Sequence, residues 1–189
     1  VAPLRREQIL NGLFAAMSKK GFEAVSISDI ARESGVARGV LHYYFTNKEE
    51  MLFELNRTLT DTYYARLGKY VSRFPTPIER LKAFVRFHTT GDEREVNQLA
   101  GVWVEFWGKA AGGHGVAETV AGLQVKLRAM IEECLRDGMK DGSIRRINAG
   151  PAAVAILGAV EGLLLQWRVN SRLVSLKDTV EEMERMVMC

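Results

Sequence analysis

The sequence predicts an all-α fold of nine or ten helices, and three observations carry that expectation. Apolar residues recur at spacings of three and four along almost the whole chain, and no run alternates with the period of two that a half-buried strand requires. Glycines, prolines and Ser/Thr caps punctuate these periodic stretches at helical lengths. The 189 residues are 47% hydrophobic and 26% charged with only four prolines, which excludes wholesale disorder and linker-dominated designs.

The elements follow in order. Residues 5–20 form a first helix with Ile9, Leu10, Leu13, Phe14 and Met17 in one stripe, closed by Gly21 as a left-handed cap. Ser26 opens a second helix, with Asp29 three residues on to complete a capping box, and Gly35 ends it. A third short helix spans residues 37–44. Thr46 is expected to cap a long fourth helix over 48–74, with Met51, Leu52, Leu55, Leu59, Tyr63, Leu67, Val71 and Phe74 on one side and Pro75 as terminator. Thr76-Pro77-Ile78-Glu79 is a strong start signal for a fifth helix reaching His88. Asp92 with Glu95 opens a sixth, which carries Val96, Leu99, Trp103, Phe106, Trp107 and Ala110. The glycine-rich residues 112–115 lead to a seventh helix, 116–140, with Val120, Leu123, Leu127, Met130, Ile131 and Cys134, ended by Gly142. Pro151 starts an eighth, which runs to about residue 172, and Ser175 with Asp178 caps a last short helix.

The net charge of +3 is small but unevenly placed. Residues 1–48 hold seven Lys/Arg (Arg5, Arg6, Lys19, Lys20, Arg32, Arg38, Lys48) against four acids (Glu7, Glu23, Asp29, Glu33), whereas residues 49–189 hold nineteen of each sign. The whole excess lies in the first quarter of the chain. Two cysteines, Cys134 and Cys189, make no disulfide framework, and the start VAPLRREQ lacks the apolar core of a signal peptide. The longest apolar stretch, residues 152–165, is interrupted by Glu161 and is shorter than the roughly 20 residues that span a bilayer. These features point to a reduced, soluble, cytoplasmic protein.

At the basic end, residues 26–45 read SISDIARESGVARGVLHYYF, two short helices around a tight turn at Gly35-Val36. Ile30, Ala31 and Val40 or Leu41 can pack under the first helix. That is the helix-turn-helix plan, in which the second helix enters the DNA major groove. Arg38 can reach guanine O6 and N7 bidentately, and Gly39 lets the backbone approach closely. His42, Tyr43 and Tyr44 offer polar tips to phosphates, and Lys48 sits at the start of the next helix, where backbone N–H groups add partial positive charge. The same spacing also suits a small structural helix pair with an aromatic core.

The string IARESGVARGVLHYYFTNKEEML, residues 30–52, resembles the signature of TetR-family transcriptional repressors. The resemblance covers residues 5–55 by motif and the rest by architecture. It implies two domains, residues 1–47 for DNA binding and residues 48–189 for ligand binding and dimerisation, and a regulator that binds palindromic operator DNA as a homodimer and is released by a small-molecule inducer. Position by position it implies base contacts from Arg38, Gly39 and Val40, phosphate contacts from His42, Tyr43 and Lys48, and a helix cap at Ser26. Two departures stand out. Ala37 occupies a position where the family often has Ser or Thr, and His42 one where Tyr is usual.

The neutral remainder holds no G-x-S-x-G, H-E-x-x-H, phosphate loop or Cys/His cluster, so no enzyme, metal or cofactor is expected. A helical binding protein without a DNA role and a helical enzyme are the competing classes. In the eighth helix Ala155, Gly158, Ala159 and Gly162 recur at three and four, beside Trp167. Such small residues suit either close packing within the subunit or a helix–helix contact between copies. The resemblance favours a four-helix dimer interface built from the seventh and eighth helices, including Leu127 and Ile131. The segment Trp103-Val104-Glu105-Phe106-Trp107, with Phe84 and His88 on the preceding helix, suits either a core or a pocket for a cationic, aromatic or apolar ligand. WVEFW is similar to the choline-responsive BetI-like subgroup, which implies a quaternary ammonium inducer. Its binding would move the long fourth helix and respace the two recognition helices.

Overall fold

The computed structural model describes residues 2–88, 93–113, 115–172 and 174–188, and among them nine helices and no strand. They are α1 (Ala2–Lys20), α2 (Ile27–Ser34), α3 (Arg38–Tyr44), α4 (Lys48–Val71), α5 (Pro77–Phe87), α6 (Glu93–Ala111), α7 (Ala117–Asp141), α8 (Ala149–Val169) and α9 (Leu176–Met188). The all-α expectation holds, with boundaries shifted by a few residues. The punctuation works as read: Gly21, Gly35 and Gly142 all take positive φ at helix ends. Thr76 and Glu79 form the expected capping box, with Pro77 in the first turn of α5. Asp92, His114 and Cys189 lie outside the described residues.

Two expected starts are corrected. α4 is capped by Asn47 rather than Thr46: Asn47 Oδ1 accepts from Glu50 N at 2.7 Å, while the Glu50 carboxylate accepts from Thr46 N at 2.6 Å. The helix begins at Lys48, so the side chain one residue before it is the one that reaches the orphan N–H. α8 starts before Pro151, at Ala149, with Asn148 in the N-cap position, because proline is tolerated throughout a first turn whose N–H groups have no intrahelical partner. The result is a 21-residue helix whose most apolar 18-residue window has a mean hydropathy of 1.5, a length and composition that a core helix shares with a membrane span, with Glu161 still interrupting the apolar stretch. Its buried residues Ala153, Leu157, Val160, Leu163 and Trp167 form a core stripe, but only 28% of its most apolar window is covered.

The chain divides into two units, Val1–Asp61 with Gly101–Ala121 and Thr62–Ala100 with Gly122–Cys189. The division falls inside α4, α6 and α7. The beginning of α4 belongs with the first three helices because Met51, Leu52 and Leu55 are buried in the same core as Ile9, Leu13, Phe22, Ile30, Leu41 and Phe45. α1 lies very close to α2. A Cβ on Gly12 would stand 2.6 Å from Ser34 Cβ, so glycine is required there. In the second unit Leu67, Leu81, Phe84, Ile131, Leu135 and Leu157 are buried. Arg86 and the buried Glu184 tie α5 to α9, with Nη2 and Oε2 2.6 Å apart.

Candidate DNA interface and effector site

In the first unit, α2 is anchored at both ends. Ser26 Oγ accepts from Asp29 N at 3.2 Å, and Asp29 Oδ2 accepts from Ser26 N at 2.9 Å. The Lys20 ammonium, 2.5 Å from Asp29, acts with Ser26 and Arg32 to hold the Asp29 carboxyl well below the usual carboxylate range. At the other end Gly35 takes φ 66°, and Gln8 Nε2 donates to Ser34 O at 2.6 Å, joining the turn back to α1. Ser26 is thus a cap, as expected.

α3 buries only Leu41 fully. Arg38, Gly39, His42 and Tyr43 are exposed, Tyr43 at 83%, and Val40 is half-buried. Positions 38, 39, 42 and 43 share one face because residues four apart stack on a helix. Four of the residues expected to contact DNA, Arg38, Gly39, His42 and Tyr43, therefore share the open side of a short helix, while Val40 is half-buried and Lys48 stands at the start of α4. Arg38 Nη2 is held on Ser28 Oγ, and no Cβ neighbour lies within 4 Å of Gly39. Ala37 makes no side-chain cap, so the departure from Ser/Thr leaves the start of α3 uncapped. Lys48 Nζ donates to Phe22 O at 3.0 Å and Val25 O at 3.1 Å. Sequence reasoning missed the support for this face: Arg6 pairs with Glu54, donates to Tyr44 O at 2.8 Å and stacks 4.4 Å over the Phe45 ring.

The five residues expected to line a ligand pocket divide between the units. Phe106 is fully buried in the first unit's core, in T-shaped contact with Trp103, and Trp107 packs against the same cluster. Phe106 is thus part of that core. Phe84 and His88 belong to the second unit. Phe84 is 1% exposed, and its carbonyl lies 2.9 Å from His88 Nδ1. A carbonyl only accepts, so Nδ1 carries the proton and Nε2 accepts from the Tyr63 hydroxyl. Burial drives the His88 pKa down to about 4 and, with the field of Glu161, raises that of Tyr63. Yet both side chains keep accessible surface. Phe87 stands 5.7 Å from the Tyr63 ring and 5.6 Å from Tyr70. The Glu161 carboxyl, hydrogen-bonded to Gln124 and facing Arg128, has its pKa raised chiefly by burial. Tyr63 and Glu161 were missed because their partners are remote in sequence. The four-residue period places Tyr63 on an apolar stripe and gives no sign of His88. No group of three or more His, Cys, Asp or Glu among the described residues is placed to hold a metal.

Among the residues expected at a dimer interface, Ala155, Gly158 and Ala159 are exposed and Gly162 is half-exposed, whereas Leu127, Ile131 and Trp167 are buried within the subunit. The latter three are therefore part of the subunit's own core. Val125 on α7 and Val154, Leu165 and Val169 on α8 are exposed apolar side chains that the sequence pattern did not single out.

An exposed recognition-helix face on a helical core defines a helix-turn-helix DNA-binding regulator. Residues 9–55 match the family model for bacterial regulatory proteins of the tetR family, and residues 77–188 match that for the C-terminal domain of BetI-type transcriptional repressors. The chain belongs to the TetR family of transcriptional regulators, with a BetI-type C-terminal domain, and is not an enzyme. The BetI regulator of Rhizobium meliloti strain 1021 is 26% identical over 178 residues, covering 94% of this chain and 85% of that one. A transcriptional regulator from Saccharomonospora viridis, solved in complex with choline, shares the fold with a TM-score of 0.89 at 22% identity, covering 98% of this chain and 96% of that one. AibR, solved with isovaleryl coenzyme A and operator DNA, shares it with a TM-score of 0.76 at 21% identity, covering 97% and 98%.

His88 sets a pH dependence. Its folded pKa lies below the ordinary value of 6.5, so the unfolded chain binds the extra proton first as pH falls. Stability is therefore expected to decline between about pH 6.5 and 4, by roughly 2–3 kcal/mol at most. Urea denaturation across this range should show that slope in the parent protein and a flatter one in His88→Gln; equal slopes would refute the buried neutral histidine.

Proposed function

We propose that this regulator represses transcription in the cytoplasm by binding a palindromic operator as a homodimer, and that an organic cation in its second unit releases it. The observation that carries the DNA reading is the single exposed face of Arg38, Gly39, His42 and Tyr43, with Lys48 at the head of the next helix. Arg38 supplies a fork for guanine, Val40 an apolar base-facing contact, and Gly39 the clearance for both. His42, Tyr43 and Lys48 serve the phosphates. One seven-residue helix reads few base pairs. Two copies related by a two-fold axis would read a palindrome with half-sites one groove repeat of ~34–36 Å apart.

Val125, Val154, Ala155, Gly158, Ala159, Leu165 and Val169 support the dimer. An apolar surface of this kind on a soluble regulator calls for a covering partner, and a closed two-fold contact uses the same patch twice.

The effector reading rests on aromatic rings, a neutral His88 and the half-buried Glu161 carboxylate within the second unit. Ring faces attract cations, and an acid in a region of low dielectric adds to that attraction. Choline in the S. viridis regulator agrees with this choice. The effector must favour the released state, or it shifts nothing.

Three measurements test the proposal. On a duplex selected from a random pool with the parent protein, Arg38→Ala is expected to lose affinity and relax base choice, and Lys48→Ala to lose affinity at every sequence and flatten the salt slope by about 0.9. Gly39→Ala should weaken binding without loss of melting temperature, since its Cβ meets nothing; unchanged affinity in all three would sink the DNA reading. Gly158→Glu, likewise free of internal clashes, is expected to yield folded monomers in light scattering; a retained dimer places the interface elsewhere. In thermal shift, choline and betaine aldehyde should stabilise the parent more than Glu161→Gln, whereas stabilisation by uncharged apolar compounds alone would overturn the cation reading.

A further inference from the structure

Lys48 is not a free surface lysine. Its ammonium uses two of its three N–H donors on the carbonyls of Phe22 and Val25 and lies 4.2 Å over the Phe22 ring. One donor remains for a DNA oxygen. The position of that donor is set by residues 21–25, the turn between α1 and α2, and this turn is in turn gripped by α6 within the same unit. Lys109 Nζ lies 2.5 Å from Glu23 Oε1 and 4.6 Å over the same Phe22 ring. Phe22 is 1% exposed, so the ring that both ammoniums share is fixed in the core. Gly21 turns with φ 75°, and a Cβ there would stand 2.8 Å from Glu105 Oε1, so α6 touches the turn at two points one helical turn apart.

We infer that Lys109, on α6 and outside the DNA-reading helices, is a positioning residue for operator binding: with Glu23 it clamps the α1–α2 turn that aims the Lys48 ammonium at the DNA backbone. The inference rests on the proposed phosphate contact of Lys48. A lysine held in place before DNA arrives loses less side-chain freedom on contact, and a phosphate contact depends steeply on where the charge sits.

The charge of Glu23 separates this role from a general field effect. Its side chain is 80% exposed, and removing a negative charge near DNA would by Coulomb's law alone tighten binding. Clamping predicts the reverse. Operator affinity is measured by fluorescence anisotropy at several salt concentrations, on a duplex selected with the parent protein, beside melting temperatures. Lys109→Met and Glu23→Gln are expected to weaken binding about three- to tenfold and to reduce the salt slope, with Lys109→Arg near the parent because it keeps both the ion pair and the ring contact. In a Lys48→Ala background Lys109→Met should cost nothing further. Tighter binding by Glu23→Gln, or additive losses in the double variant, overturns the inference while leaving the Lys48 contact standing. Unchanged affinity in Lys48→Ala overturns the contact itself and the inference with it. Should Lys109→Met fail to fold, Glu23→Gln and Lys109→Arg still decide the sign.

Discussion

The recognition helix depends on Arg6. A seven-residue helix has almost no stability of its own in water, and α3 buries only one side chain completely. Its orientation must come from outside. Arg6, on α1, supplies it by joining three elements at one guanidinium: the carboxylate of Glu54 on α4, the last carbonyl of α3 at Tyr44, and the face of Phe45. Its pKa is raised by Glu54, so the charge that makes these contacts is secure. With the helix end held, Leu41 turns inward and Arg38, Gly39, His42 and Tyr43 turn outward together. The charge excess at the start of the chain is partly internal for the same reason, since Arg6 and Lys20 pair with acids while Arg38 remains on the open face.

The second unit is organised around the opposite kind of group. Tyr63 and His88 sit where burial disfavours charge, and they satisfy one another as a neutral pair oriented by the Phe84 carbonyl. Glu161 keeps its carboxyl nearby at a desolvation cost reflected in its raised pKa. Ligand recognition is one role that fits the chemistry of ionisable groups with perturbed pKa values beside aromatic rings. α4 carries Lys48 in its first turn and Tyr63 about four turns later, so one continuous helix bears both a DNA-contact candidate and an effector-site candidate.

The aromatic segment around Trp103 shows how one helical pattern can be shared between two cores. Its residues recur at helical spacing and do form one helix face, but α6 is shared between the units and residues 101–121 belong to the first. Phe106 therefore fills the DNA-side core beside Phe22 and Phe45, while Phe84 fills the other. Periodicity reports which residues of a helix face the same way. It carries no information on what that face meets.

The sequence by itself determined the helices, several of their caps and the helix-turn-helix segment, because these depend on neighbours within four residues: Gly21 and Gly35 at left-handed ends, Ser26 with Asp29, Thr76 with Glu79, and Arg38 one turn from His42. Only the tertiary structure decided the rest. It assigned Asn47 rather than Thr46 to the head of α4, split the aromatic residues between two cores, and buried Leu127, Ile131 and Trp167 while leaving Ala155, Gly158 and Ala159 exposed. It also joined Tyr63 to His88, Arg6 to Tyr44, and Lys109 to Glu23 across 86 positions. Such pairings arise from packing between helices, where the contact is set by shape and burial in three dimensions and leaves no period in the chain.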